Sequence, residues 1–87
     1  MMRLKVEQIS KGLHPNEAVV AVRTKTGSER LVVPRQSILN DSIEIGWPIR
    51  AKDDEFLVEF PSETQNGAWR AWVPKDQLIF EEERKRA

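Results

Sequence analysis

The chain predicts an all-β fold, a small and partly open barrel of five to six short strands, and three observations carry that reading. Apolar residues recur at every second position through most of the chain, the spacing of strands with one buried face. Turn-forming pairs fall between the alternating runs, with Asn66-Gly67 the strongest because both residues tolerate positive φ. No sustained 3.6-residue period occurs before residue 75.

The elements follow in order. Leu4 and Val6 alternate with Arg3, Lys5 and Glu7, and predict a first strand. Residues 18–26 read AVVAVRTKT and end in the turn Lys25-Thr26-Gly27-Ser28, and residues 30–34 read RLVVP, so the two runs predict a hairpin. With Thr26-Gly27 as its two-residue turn, Val22 opposes Leu31, Val20 opposes Val33, and Arg23 falls directly opposite Arg30. Two arginines so placed repel, so either the loop is one residue longer, with Gly27 in a bulge, or this face is a basic ridge with a purpose, the plain reading being a solvated face. Ile43, Ile45, Trp47, Ile49 and Ala51 alternate as well, although Pro48 cannot donate to a ladder and confines this run to an edge or a bend. Asp53-Asp54-Glu55 reads as a turn entering the run Phe56, Val58, Phe60. A second hairpin turned at Asn66-Gly67 places Phe60 against Val73 and Glu63 against Arg70. Trp69 and Trp47 are expected in the core or at its rim.

A quasi-repeat joins the halves. Arg30 to Leu39 reads RLVVPRQSIL and aligns, forty residues on, with Arg70 to Ile79, RAWVPKDQLI. Each copy follows a β-rich run and closes on a Val-Pro-basic-x-x-Ile/Leu segment. Pro ends the ladder pairing, a single helical turn follows Pro34 and Pro74, and Ile38 or Leu78 tucks back onto the core. Duplication of one unit, or one local solution used twice, explains this equally. The expected organisation is a single domain over residues 1–80, in two units of about 1–40 and 41–80, and a charged tail over 81–87. Glu81–Lys85 and Glu82–Arg86 have favourable i,i+4 order, but so short a segment is marginal as a helix.

Composition then limits function. The 87 residues carry 39% hydrophobic and 32% charged side chains, an ordinary globular balance. With no cysteine and one histidine, thiolate metal sites, Fe–S clusters and cysteine nucleophiles are excluded, and a triad could use only His14, which has no nucleophile-elbow serine. The four glycines are too scattered for a phosphate-cradling loop, and Asp53-Asp54-Glu55 lacks the alternate-position oxygens of a Ca²⁺ loop. The expectation is a protein that is not an enzyme and has no cofactor or metal. No apolar stretch matches a signal core or a membrane span, so a cytoplasmic protein is expected. The formal net charge of zero conceals a division: residues 1–52 hold nine Lys+Arg against five Asp+Glu, and residues 53–87 hold five against nine. That separation permits self-association and keeps nucleic acid open as a partner.

Two resemblances extend the reading. Glu55-FLVEF, the hairpin after it, and Ala71-Trp-Val-Pro74-Lys-Asp-Gln-Leu78 resemble the last strands and closing helical turn of Src-homology-3-like barrels, over roughly residues 45–80. The chain has no Tyr, so the proline-rich-ligand groove of that family is not implied. Bacterial proteins with such barrels are often accessory subunits or adaptors, and the resemblance implies a protein-interaction or accessory module. Trp72 and Arg70 are then the candidate partner-binding pair, since Trp and Arg dominate interaction hot spots; the alternative is a Trp72 covered by residues 1–9 or by the segment around Trp47. The run from Glu29 through Arg30, Pro34 and Arg35 to Ile38, followed by Gly46 and Phe56–Phe60, is similar to the swapped-hairpin DNA-binding domains of bacterial transition-state regulators and antitoxins. That likeness implies a DNA-binding regulator in which Arg23, Lys25, Arg30 and Arg35 meet phosphates.

Overall fold

The computed structural model describes residues 2–12 and 14–80, and among these the chain is all-β apart from two single-turn 3-10 helices. Nine strands form: β1 (Met2–Lys5), β2 (Glu7–Lys11), β3 (Glu17–Thr24), β4 (Gly27–Pro34), β5 (Ser42–Ile45), β6 (Arg50–Lys52), β7 (Glu55–Glu59), β8 (Arg70–Pro74) and β9 (Leu78–Phe80). They make three antiparallel sheets of three strands, ordered β5-β1-β9, β2-β3-β4 and β6-β7-β8, and do not close into one barrel.

Nine strands replace the expected five to six because two alternating runs are broken by changes of partner. The first run divides at Val6, whose N–H donates to the Asp41 carbonyl at 2.9 Å, so β1 pairs with β5 and β2 pairs with β3. The run from Ile43 to Ala51 divides at Gly46-Trp47-Pro48, where Pro48 cannot donate to a ladder. Its halves, β5 and β6, lie in different sheets.

Both hairpins depart from the expected register by an even number of residues. The turn between β3 and β4 is Lys25-Thr26, with Thr24 opposite Gly27. Arg23 therefore faces Ser28, and Arg30 faces Ala21, which removes the Arg23–Arg30 opposition that made the Thr26-Gly27 turn unfavourable. Gly27 takes the φ of +140° that leads into β4. In the second hairpin Phe56 opposes Val73 and Glu59 opposes Arg70, so Glu63 is not the partner of Arg70. Asn66-Gly67 is not the central pair of the turn that forms: Gly67 N–H donates to the Thr64 carbonyl at 2.9 Å, which centres the turn on Gln65-Asn66, at the tip of a longer loop. Pro61 breaks the ladder below it, and the Thr64 hydroxyl accepts from Ala68 N–H at 3.0 Å.

The β3–β4 and β7–β8 hairpins end alike. Glu17 pairs with Pro34 and Glu55 with Pro74. Arg35 N–H donates to the Asn16 carbonyl at 2.8 Å, and Lys75 N–H to the Asp54 carbonyl at 2.8 Å. Each proline then starts a 3-10 turn, Arg35–Ser37 or Lys75–Gln77, as the sequence predicts. The strands that follow, β5 and β9, flank the two edges of β1. One core joins the three sheets: Met2, Leu4, Val20, Val22, Leu31, Val33, Ile43, Val58, Phe60, Val73 and Leu78 are buried together, with Ile38 against them. An edge-to-face contact of Phe56 with Phe80, centroids 5.7 Å apart, ties β7 to β9. Residues 81–87, where the charged tail and its i,i+4 pairs were expected, lie outside the described residues.

Candidate functional site

Two surfaces gather polar chemistry. The first is a groove of about 610 Å³ beside β1, β2, β3 and the second 3-10 turn, lined by Lys5, Glu7, Ile9, Arg23, Arg30 and Gln77 among others. Strand alternation puts Arg23 and Arg30 on one outward face, and the register makes them diagonal neighbours. Lys5 enters from the end of β1, so three cations and one carboxylate, all exposed, face one concavity. The other two expected basic contacts lie elsewhere. Lys25 turns toward β7, where its Nζ is 3.4 Å from Glu55 Oε1, while its backbone N–H donates to the Trp72 carbonyl at 2.9 Å. Arg35 follows Pro34, at the opposite end of the β3–β4 ladder from the Lys25-Thr26 turn.

The second surface lies at the Glu59-Phe60 end of β7. Trp47 is 67% exposed and Trp69 53% exposed, so neither is the core or rim residue that alternation suggests. Trp47 sits in the break between β5 and β6, flanked by Gly46 and Pro48, and leaves the ladder there. The Trp69 carbonyl accepts from Phe60 N–H at 2.8 Å just before β8 begins, and the strand face around it is uncovered. A hollow of about 440 Å³ beside Trp47 is walled by Glu44, Glu59, Phe60 and Pro61. Phe60 thus shares a hollow with Trp47 and a backbone bond with Trp69.

Arg70 starts β8 next to Trp69 and is exposed, across from Glu59. Trp72, two residues on and on the same face, is half-buried opposite Leu57, which pairs in turn with Arg50. The sequence points to this end of the molecule through Arg70 and Trp72, but the indoles most open to solvent there are Trp47 and Trp69.

Several residues of these surfaces were not singled out by the pattern. Lys5, Glu44 and Glu59 read as ordinary outward positions of alternating strands, and only the approach of separate sheets brings them to a groove. Arg3 is only 8% exposed. Its Nε donates to Ser42 Oγ at 2.7 Å, and Nη2 donates to the Ser42 carbonyl at 2.9 Å. The Ser42 hydroxyl donates to the Leu39 carbonyl at 2.7 Å, so this arginine fastens the turn before β5 to β1. A run of serine, turn and strand forty residues downstream carries no sequence signal for that pairing.

Among the described residues no group of three or more His, Asp or Glu side chains gathers as a metal site, and no helix is long and apolar enough to cross a membrane. His14 is exposed in the loop before β3, and its carbonyl accepts from Glu17 N–H at 3.0 Å. Comparison with protein-family models, with curated proteins and with solved structures finds no match for this chain.

Proposed function

We propose that the protein is a non-enzymatic interaction or accessory module of the cytoplasm, and that a protein partner docks at the Trp47–Trp69 end of the β6-β7-β8 sheet. One observation carries the reading: two of the three tryptophans are more than half exposed, Trp47 lining a hollow with Phe60 and Trp69 joined to Phe60 through the backbone just before Arg70. Exposed indoles that are costly to leave in water, next to an arginine, have the composition of an interface centre. The barrel reading of Src-homology-3 type fits the same picture: a meander that ends in Val-Pro, turns once as a 3-10 helix and packs a Leu onto a shared core. Duplication of that unit finds support in the matched capping bonds of Arg35 and Lys75.

The test uses the chain as immobilised bait. Trp47→Ala with Trp69→Ala is expected to keep the circular-dichroism spectrum and melting midpoint while losing the partner that the wild type retains. An unchanged set of retained proteins would overturn the reading.

A second reading, nucleic-acid binding, is favoured by the convergence of Lys5, Arg23 and Arg30 on one groove. It predicts duplex binding that weakens steeply with salt and is lost when Arg23 and Arg30 become Ala. Binding that is indifferent to salt, or none at low ionic strength, removes it.

A further inference from the structure

The loop between β7 and β8 carries an Asn-Gly pair at its tip, and Asn66 and Gly67 are both exposed. An asparagine followed by glycine has a labile side-chain amide, because no Cβ on the next residue keeps the backbone nitrogen away from the side-chain carbonyl carbon. Gly67 takes a φ of +84°, and a Cβ there would lie 3.4 Å from Glu63 Oε2. The Asn66 amide is lightly held. Its Nδ2 donates to Glu29 Oε1 at 3.4 Å, in a contact open to solvent.

The backbone around it is held more firmly. Gly67 N–H donates to the Thr64 carbonyl at 2.9 Å, Thr64 N–H to the Ala68 carbonyl at 2.8 Å, and Ala68 N–H to the Thr64 hydroxyl at 3.0 Å. Gln65 N–H donates to the Arg30 carbonyl at 2.8 Å, which docks the tip against β4. The Gly67 nitrogen is therefore engaged while the turn is closed. Its reaction requires the turn to open, and a loop tip held by solvent-exposed hydrogen bonds opens at low cost.

We propose that Asn66 is a site of spontaneous modification, where the chain converts its own asparagine to aspartate and isoaspartate and so loosens the loop tip from β4. In the open turn Gly67 N bonds to Asn66 Cγ, the Cγ–Nδ2 bond breaks, and the Gly67 amide proton leaves with that nitrogen as ammonia. Water then opens the cyclic imide and returns one hydrogen to Gly67 N. Attack at Cγ yields aspartate; attack at the Asn66 backbone carbonyl carbon yields isoaspartate, whose main chain runs through Cγ. Either way a neutral donor becomes a carboxylate, so the contact with Glu29 becomes a meeting of like charges, with Glu63 close to the same tip. Isoaspartate also lengthens the main chain inside the turn that the Gly67–Thr64 bond closes. The proposal stands apart from the interaction reading.

The test incubates the folded protein beside a capped peptide of residues 61–70 in mildly alkaline buffer. Peptide mapping follows residue 66 by a mass gain of about 1 Da and by chromatographic separation of aspartate from isoaspartate. The folded protein is expected to convert at residue 66, at least threefold more slowly than the peptide. Asn66→Asp is expected to speed hydrogen exchange of the Gln65 and Gly67 amides at least fivefold at low salt, with the amides of β3 unchanged. Asn66→Ser removes the amide donor without adding charge, and is expected to change that exchange less than twofold. No conversion in the folded protein once the peptide is fully converted would overturn the site. Equal rates in protein and peptide would overturn the control by the turn. Unchanged exchange in Asn66→Asp, or an equal change in Asn66→Ser, would overturn the loosening by charge.

Discussion

Thr24 shows how a single atom can oppose the fold it belongs to. It continues the buried face of Val20 and Val22 at the end of β3, only 7% exposed, and its hydroxyl has no hydrogen-bond partner. A buried hydroxyl gives up its water and, unpaired, regains nothing. Thr24→Val keeps the branched shape that suits a strand and removes the oxygen. It is expected to raise stability by about 1 kcal/mol, read from the shift of the urea midpoint at unchanged slope. A fall in the midpoint would show that the hydroxyl is paired in solution. Arg3 presents the opposite case, a charged group almost wholly enclosed that donates to the Ser42 hydroxyl and to the carbonyls of Ser42 and Ser37. Of two alternate positions in β1, Lys5 is exposed and Arg3 is buried, its guanidinium reaching the carbonyls of Ser37 and Ser42.

At the scale of the element, glycines distinguish turns that depend on close approach from those that do not. Gly12 closes the connection from β2 to β3, its N–H donating to the Glu17 carbonyl at 3.0 Å, and a Cβ there would lie 2.6 Å from Glu17 Cβ. Gly12→Ala is expected to cost about 1–3 kcal/mol in thermal or chemical unfolding, as other forced contacts do. Gly46 has nothing within 4 Å of its would-be Cβ, so Gly46→Ala is expected to stay within about 0.5 kcal/mol of wild type. Equal effects at the two positions would contradict the packing of the first loop. The hairpins teach a related lesson. A slip by an even number of residues leaves every side chain on its proper face, so alternation locates the buried side of β3, β4, β7 and β8 but does not select the partner residue. Repulsion between Arg23 and Arg30 is the clue in the first hairpin, and Pro61 is the clue in the second.

At the scale of the molecule, the two similar halves are not two independent units. β1 lies in the first half, and both of its neighbours, β5 and β9, lie after residue 41. The core likewise combines Leu4, Val20 and Leu31 with Ile43, Val58 and Val73. Peptides spanning residues 1–40 and 41–80 are therefore each expected to be unfolded by circular dichroism, whereas the full chain unfolds in one cooperative transition. A folded half, or two separated transitions, would show that each meander has a sufficient core alone. The division of charge found in the sequence takes on a shape at this scale. Lys5, Arg23 and Arg30 converge on one groove, Glu44 and Glu59 on another, and Lys25 is drawn across to Glu55. Net charge along the chain therefore does not give the sign of a surface, since Glu44 belongs to the basic half and Lys25 is held by an acidic residue of the other.

The sequence by itself determined the all-β class, the apolar faces of the strands, the turn at Asp53-Asp54 and the single helical turns after Pro34 and Pro74. These features follow from side-chain alternation and from the missing proline N–H, which act within a few residues. Only the tertiary structure decided which edges of β1 are filled, that Trp47 and Trp69 remain outside, that Arg3 is enclosed, and that Glu44 and Glu59 line one hollow. Those outcomes depend on how three sheets share one core, and burial is set by whatever lies across the sheet, often forty residues away. A local period records which way a side chain points but carries no information about what covers it.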